Sequence, residues 1–385
     1  MSAHQKPALQ KILENDSRLT FTLSGIDKCF ANALRRVILT DIPTVVIRTE
    51  DNQVNQCKIT KNTSRLHNEI IQQRISCIPI HVFEPDFAEK HILEIDVINN
   101  DDQNIRMVTT EDIKIKNTQT NLYLPEEEVR KIFPADEITG DYIDIVRLRP
   151  KTGITVPGEQ IAMTAKFSVA SAKINSMFNV VSICSYGFTT DIAKATSAWE
   201  KIEQKMRSQE KDASEIEHSK HDFWNLDAQR YYVANSFDFV IKSVGVYKNI
   251  DIVHKACSIL CSKMDKFISA LEENMIPIVE SHSTRKYGYD SVIESTVENS
   301  FDIVLENEDD TLGNILSFML FETYFAGESR ELSFCGFKKY HPHDPFGVVR
   351  IAYVKMPDKS LIKLHLKTVV NESKKVFEEI RMKFH

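Results

Sequence analysis

An amphipathic segment near the N-terminus, Asp27–Pro43, restricts how this chain can fold. Asp27 is a helix-capping residue type and Pro43 follows the last periodic position, so the segment predicts a helix with defined ends. Its apolar residues recur at steps of three and four and form a stripe that must be buried: Phe30, Ala33, Leu34, Val37 and Ile38. A second stripe presents two guanidinium groups, which a purely structural helix does not need: Asn32, Arg35, Arg36 and Leu39.

The composition excludes several classes of protein. The chain has 385 residues, 42% of them hydrophobic, which is enough for two or three domains. A net charge of -7, with no basic run, argues against a protein that binds nucleic acid by itself. Glycine is scarce and no phosphate-binding GxGxxG or GxxxxGK[ST] run occurs. No signal peptide or membrane-spanning stretch is recognisable, so we expect no membrane association.

The seven cysteines are odd in number, irregularly spaced and without a CxxC pair. This pattern predicts neither a disulfide framework nor a zinc ribbon, and it favours an intracellular, reducing compartment. The proline-broken middle region offers only Cys57 and Cys77, so we expect no metal cluster and no cofactor.

Hydrophobic patterning divides the chain into segments. Leu19–Leu23 alternates as a strand that leads into the first helix, whereas short β-rich pieces separated by prolines follow from about Lys58 to Gly158. We therefore predict an α+β chain with a first domain at residues 1–48 and 178–272, an inserted β-rich subdomain at 49–177, a linker at 273–299 and a second domain at 300–385. The charged stretch 191–229 predicts a solvated helix plus loop, and a partner-docking arm is the alternative.

The plan of the first domain recurs after the linker. Phe301–Leu305 alternates like the first strand, and Asp309 and Asp310 cap a second helix in which Asn314 aligns with Asn32. Each half ends in a long helix whose apolar residues step by four and three, which is typical of helices packed lengthwise on each other. We predict that the halves pair through these residues: Phe30, Leu34, Val37, Val253, Cys257, Leu260, Met264, Phe267, Leu312, Leu316, Met319, Ile362, Leu366, Val369, Val376 and Ile380.

Several motifs resemble those of one family. ANALRRVILTDIPTVVI and RISCIPIH closely resemble the alpha-like subunits of multisubunit RNA polymerases, namely bacterial alpha, archaeal D and the eukaryotic third-largest subunit. DDTLGNILSFMLF and CGFKKYHPHDPFGVVRI are similar to the archaeal L subunit and its small eukaryotic counterpart, although Asp310 stands where that family usually has histidine. The presence of both in one polypeptide resembles the fused subunit of large cytoplasmic DNA viruses.

The resemblance implies two alpha-like dimerisation modules, each strand, helix, strands and long helix, with the mostly β subdomain inserted in the first. It implies a subunit without an active site, on which the second-largest and then the largest polymerase subunit assemble, together with a small zinc-bound adaptor. DNA contact would be indirect, no homodimer is expected, and a viral setting implies the host cytoplasm and/or the virion. The residues that it assigns to partner interfaces are Asn32, Arg35, Arg36, Leu39, Thr311, Gly313 and Asn314.

Two alternatives remain open on the sequence alone. The arginines could be solvated or paired with local carboxylates such as Asp41. The chain could also be a metal-binding enzyme or adaptor, because zinc accepts the ligand types that His341, His343 and Asp344 carry. A second set of such ligand types is formed by His254, Cys257 and Cys261. The first set argues for a simple turn instead, because prolines fix the backbone around its histidines. The second set argues for a role in the core, because free cysteine usually packs as a small apolar residue.

Overall fold

A computed structural model describes residues 6–15, 18–51, 53–153, 156–281 and 297–384. The strands are β1 (Ala8–Asn15), β2 (Arg18–Ser24), β3 (Thr44–Val46), β4 (Cys57–Asn62), β5 (His91–Ile98), β6 (Arg106–Thr109), β7 (Lys114–Asn117), β8 (Asp144–Leu148), β9 (Gln160–Lys166), β10 (Ser168–Ala170), β11 (Val181–Thr190), β12 (Tyr232–Ser243), β13 (Ile278–Glu280), β14 (Ser300–Glu306), β15 (Leu332–Lys338) and β16 (Phe346–Tyr353). The helices are α1 (Lys28–Thr40), α2 (Asn68–Ser76), α3 (Phe87–Lys90), α4 (Glu126–Ile132), α5 (Ile192–Ser208), α6 (Ala213–Asp222), α7 (Asn249–Glu272), α8 (Asp310–Leu320) and α9 (Lys359–Lys383).

The chain packs into two compact units. The first unit comprises Met1–Val37, Ile183–Ile241 and Val253–His385, and the second comprises Ile38–Ser182 and Lys242–Ile252. In the part of the chain that the structure describes, no helix is long and apolar enough to cross a membrane.

Two four-stranded sheets with equivalent strand orders form the first unit. One has the order β1-β2-β12-β11 and the other has the order β13-β14-β16-β15. In each, a strand pair precedes a shorter helix (α1 or α8), and a second strand pair precedes a long helix (α7 or α9). Part of the predicted linker is therefore an edge strand, because Ile278 of β13 lies opposite Ile303 of β14.

Strand β1 was absent from the sequence-based assignment. It pairs antiparallel with β2, from Ala8 opposite Ser24 to Asn15 opposite Arg18, and an irregularity between Gln10 and Leu13 interrupts the register. Most of its side chains are exposed because it lies at the edge of the sheet. Its alternation is therefore too weak for sequence patterning to detect.

The long helices α7 and α9 run antiparallel and bridge the two halves of the first unit. Near one end of the pair, His254 Nε2 lies 2.8 Å from the carbonyl oxygen of Phe384. Further along, Lys374 pairs with Asp265 at 2.6 Å, and Lys367 pairs with Glu272 at 2.6 Å. The seam between the helices is apolar and its members are buried: Val253, Cys257, Leu260, Met264, Phe267, Ile362, Leu366, Val369, Phe377 and Ile380.

The structure adds one residue, Phe377, to this seam. Val376 is half-buried, whereas its neighbour Phe377 is fully buried and its ring centroid lies 5.5 Å from that of Phe30. A strict alternation of four and three residues leads from Ser373 to Val376. The real helix has about 3.6 residues per turn, so a step of four to Phe377 keeps the side chain on the buried face.

A polar cluster forms around the buried imidazole of His365 on α9. The Tyr353 hydroxyl is 3.0 Å from His365 Nδ1, and His365 Nε2 is 3.3 Å from a carboxylate oxygen of Glu331. Because burial lowers the pKa of His365, the ring is neutral at physiological pH. With Nε2–H donating to the Glu331 carboxylate, Nδ1 then accepts from the Tyr353 hydroxyl. The Tyr324 ring stacks on the imidazole at 3.8 Å. Burial lowers the pKa of His365, although Glu331 opposes this effect.

We expect this cluster to make the first unit less stable at acidic pH. The unfolded chain takes up a proton at His365 near pH 6.5, whereas the folded protein does so only at lower pH. The contribution of the neutral His365 to the free energy of unfolding is therefore fully present above about pH 6.5 and decreases as the pH falls below that value. Urea titrations at pH 7.5 and 5.5 measure the change, and H365Q should show a smaller difference between the two pH values. An equal difference in both proteins would contradict the assignment.

The second unit is built around the sheet β4-β9-β5-β7. Its core also receives side chains from α2, α4 and the pair β6-β8, including Ile71, Val129, Val108 and Ile145. The pair β3-β10 has a smaller cluster of its own, Val46, Ala170 and Phe178.

The charged stretch between β11 and β12 forms α5, α6 and a π-helical turn, Phe223–Asp227. Its helices enclose a small core of Ala195, Trp199, Phe223 and Ala228. The stretch is therefore more ordered than the predicted helix plus loop, because its aromatic residues cover one another.

Candidate functional site

Helix α1 carries the predicted interface residues, and its start is fixed locally. The Asp27 carboxylate accepts a hydrogen bond from the Cys29 backbone N–H at 2.8 Å, which satisfies one of the free donors at the helix N-terminus. The stripe that includes Phe30, Leu34 and Val37 is buried, as its spacing predicted. Asn32, Arg35, Arg36 and Leu39 are half-buried.

The two neighbouring arginines have different roles within the chain. Arg36 reaches the N-terminus of α8, where its Nε donates to Thr311 Oγ1 at 2.9 Å and its Nη2 lies 2.7 Å from Asp309 Oδ2. Arg35 instead donates from Nε and Nη2 to Asn32 Oδ1, at 3.1 and 2.9 Å, on its own helix. Arg36 therefore joins the two halves, whereas Arg35 is held in place on the surface of one half.

Asp309 is both the helix cap and the partner of Arg36. Its Oδ1 accepts the Thr311 backbone N–H at 2.8 Å while Oδ2 receives the guanidinium. Burial by itself raises the pKa of Asp309, but hydrogen bonds from Thr311 and the charge of Arg36 outweigh it and lower the pKa to about 2. The carboxylate is thus ionised at neutral pH and attracts the guanidinium, although both side chains remain about one-third exposed (32% and 38%) and solvent weakens the pair.

Equivalent positions on α1 and α8 make reciprocal contacts. With Asn32 aligned to Asn314, Arg36 corresponds to Phe318 and Arg35 to Ser317. The Phe318 ring meets the Phe30 ring edge-on at 6.2 Å, as Arg36 meets the start of α8. Among the described residues, Arg35 bonds to Asn32 and Ser317 to Cys335, each within its own half. Arg35 therefore adds to the first half a charged group that the second half lacks at the equivalent position.

The predicted interface residues of α8 differ in their exposure to solvent. Thr311 and Gly313 are buried and Asn314 is exposed. A Cβ on Gly313 would lie 2.3 Å from the Phe337 ring, and a Cβ on Gly347 would lie 2.5 Å from the same ring. These two glycines therefore allow α8 to approach the sheet across Phe337. Contacts within the chain account for Thr311 and Gly313, and their role in partner binding stays a prediction.

Arg35 lies near two side chains of β11, the strand at the edge of its sheet. Burial raises the pKa of the Cys184 thiol to about 12, and the Arg35 charge opposes this rise. Burial also raises the pKa of Tyr186, again against Arg35. Both groups are therefore neutral at physiological pH, and they do not compensate the positive charge of the guanidinium.

The candidate metal ligands are not arranged as a metal site in the described residues. His341 Nδ1 accepts the His343 backbone N–H at 3.2 Å, and Asp344 accepts the His341 N–H at 2.9 Å, so the motif forms a turn. Cys257 is buried in the seam between α7 and α9. Across the described ranges, no group of three or more histidine, cysteine or acidic side chains is placed to hold a metal ion.

Comparison with known proteins adds an independent line of evidence. A family profile described as the RNA polymerase Rpb3/Rpb11 dimerisation domain matches residues 20–264, more than half of the chain. The DNA-directed RNA polymerase subunit Rpo3 of Methanosphaera stadtmanae is 23% identical over 278 residues, which cover 68% of this chain and 97% of that protein. Rpo3 of Pyrococcus horikoshii is 24% identical over 280 residues, with coverage of 68% and 97%.

A eukaryotic relative is also similar. The subunit rpac1 of DNA-directed RNA polymerases I and III from Dictyostelium discoideum is 29% identical over 152 residues, 36% of this chain and 41% of that protein. These similarities confirm the resemblance to alpha-like polymerase subunits. The profile match ends at residue 264, before the second sheet, so it leaves the resemblance of the second half to the archaeal L subunit untested.

Proposed function

This chain belongs to the RNA polymerase Rpb3/Rpb11 dimerisation domain family, and we propose that it is a non-catalytic assembly subunit of a DNA-directed RNA polymerase. In this proposal a D-like half and an L-like half pair within one polypeptide and form the platform for the two largest subunits. The proposal extends to this chain the role in DNA-directed RNA polymerase that the names of the Rpo3 and rpac1 relatives state.

One observation carries the proposal, namely the antiparallel pairing of α7 and α9 within the first unit. The seam buries apolar side chains along both helices, which would be exposed to water if either half stood alone. The Arg36–Asp309 contact adds a second, directional link between the halves. Because α7 and α9 already pair with each other within one chain, we propose that it does not form homodimers.

The surface of α1 around Arg35 is the proposed contact for the second-largest subunit. The guanidinium is oriented by Asn32 and half-buried, so little side-chain freedom remains to be lost on binding. A planar guanidinium group makes directed hydrogen bonds to carboxylates and carbonyl oxygens. Leu39 on the same stripe supplies apolar contact, and the exposed Asn314 is the candidate contact on the second half.

The remaining parts of the proposal concern partners and setting. We propose that the largest subunit joins after the second-largest one, that a small zinc-bound adaptor also docks, and that DNA is contacted only through the complex. The two-module fusion, its viral origin and a location in the host cytoplasm or virion rest on the sequence resemblance of the second half.

The proposal predicts different outcomes for the two arginines. We expect R35E to leave the unfolding midpoint unchanged but to weaken binding of the second-largest subunit by about thirtyfold, because an oriented interface arginine commonly contributes about 2 kcal/mol or more. R36M should instead lower the free energy of unfolding by about 1–2 kcal/mol, because it removes a charge-assisted hydrogen bond. Urea titration and affinity capture of the tagged chain, followed by subunit identification, measure the two effects.

K266E is the matched control, because Lys266 is exposed on α7 and the change in charge is the same. It should capture the large subunits as well as the unmodified chain does. Recovery of the tagged chain without any large polymerase subunit would overturn the proposed function. Full capture by R35E would overturn only the assignment of the α1 surface.

A further inference from the structure

The outward face of the sheet β4-β9-β5-β7 is rich in lysine, although the whole chain is acidic. The strand register places Lys58 opposite Thr164, and Lys166 opposite Ile92. Side chains two residues apart on a strand share a face, so these residues face away from the buried core that Cys57 and Ala165 enter. The outward lysines on this face are Lys58, Lys61, Lys114, Lys116 and Lys166.

One end of this face deepens into a groove of about 680 Å³. Three cationic side chains border it, Arg48, Lys58 and Lys166, together with three aliphatic ones larger than alanine, Val54, Ile92 and Val169. Among the described residues that line the groove, none is acidic and none is aromatic. We name this feature the basic groove.

The positive charge of the basic groove comes mainly from its two lysines. Arg48 is paired with Glu50, with Nε 2.6 Å from the carboxylate, so its charge is largely balanced. Within the described residues, the ammonium groups of Lys58 and Lys166 make no ion pair and both side chains are exposed. Beside them, the Val169 side chain is 43% exposed although it is aliphatic.

We propose that the basic groove binds an acidic, partly aliphatic segment of another polypeptide. Carboxylates of the segment would meet Lys58 and Lys166, and its aliphatic side chains would cover Ile92 and Val169. The charge complementarity favours an anionic occupant, and the aliphatic wall favours a peptide. This surface lies in the second unit, and the proposal does not depend on the proposed polymerase function.

A nucleic acid fits the same surface less well. Glu94 and Asp96 lie along β5 next to the lysines, so a phosphate chain that crosses the face would meet carboxylates. Surfaces that bind single strands usually add aromatic rings on which bases stack, and the basic groove has aliphatic groups instead.

Fluorescence anisotropy with the full chain tests the proposal. The probes are fluorescein-labelled ten-residue peptides of alternating Glu and Val, Glu and Ser, or Lys and Val, together with a labelled 20-residue oligo(dT). We expect the Glu/Val peptide to bind most tightly, the Glu/Ser peptide several-fold more weakly, and the Lys/Val peptide not at all. The variant K58Q/K166Q should weaken binding of the Glu/Val peptide by about tenfold.

The matched control is K61Q/K114Q, which removes the same charge from the same face outside the basic groove. Its affinity should remain within about twofold of the unmodified chain. Equal losses in the two variants would overturn the proposal, as would absence of binding at protein concentrations up to about 1 mM. Tighter binding of oligo(dT), with displacement of the peptide, would assign the basic groove to nucleic acid instead.

Discussion

The F377A variant is expected to lose about 3–5 kcal/mol of the free energy of unfolding of the first unit. The Phe377 side chain is fully buried between α9 and α1, with its ring 5.5 Å from that of Phe30. Alanine would remove the ring and leave a cavity that the surrounding helices and sheet can fill only in part. Urea titration of the full chain, with the near-ultraviolet signal of the aromatic residues as probe, measures the loss.

The neighbouring variant V376A is the matched control. Val376 is half-buried, so its truncation should cost about 1 kcal/mol or less. The comparison tests which residue occupies the seam between the two halves. A larger loss in V376A than in F377A would show that the helix is rotated from the position described above.

The R350M variant is expected to lose a similar amount, about 3–5 kcal/mol. Arg350 lies opposite Asp302 in the second sheet and holds its carboxylate with two parallel bonds, Nε to Oδ1 at 2.7 Å and Nη2 to Oδ2 at 2.8 Å. The Asp302 side chain is fully buried, so methionine would leave its carboxyl group without its main partner. Ser281 Oγ, 2.9 Å from Oδ1, can offset only part of this loss.

Two further variants distinguish the effect of removing Arg350 alone from the effect of removing both Arg350 and Asp302. D302L/R350M replaces both groups by apolar side chains and should recover most of the stability, because no buried charge remains. R106M breaks the exposed Arg106–Asp112 pair in the second unit and should cost about 1 kcal/mol or less. If the double variant is as unstable as R350M, the cost comes from packing rather than from the unpaired carboxylate.

The local elements of the first unit were accessible from sequence. Helix α1 lies within the predicted segment, and the apolar stripe of Phe30, Leu34 and Val37 is buried. Strand β2 covers the alternating stretch that begins at Leu19. These predictions succeeded because periodicities of about 3.6 and 2 residues are properties of the chain itself and need no knowledge of its partners.

The positions of charged groups were less accessible. Both arginines of α1 belong to one stripe in sequence, yet Arg36 joins Asp309, which lies 273 residues further along the chain, while Arg35 remains with Asn32. Asp309 was predicted only as a helix cap. The signal that could have found its second role is the alignment of the two halves, which places the starts of α1 and α8 in equivalent positions.

The sequence by itself determined that a helix begins at Asp27, that its pattern returns after residue 300 and that each half ends in a long apolar seam. Only the tertiary structure decided which arginine points to the other half, that Phe377 is more deeply buried than Val376, and that Lys58 and Lys166 border one groove. The physical reason is that a local repeat fixes which face of an element is buried. The atoms that meet across that face depend on the rotation, register and closure of elements that are distant in the chain.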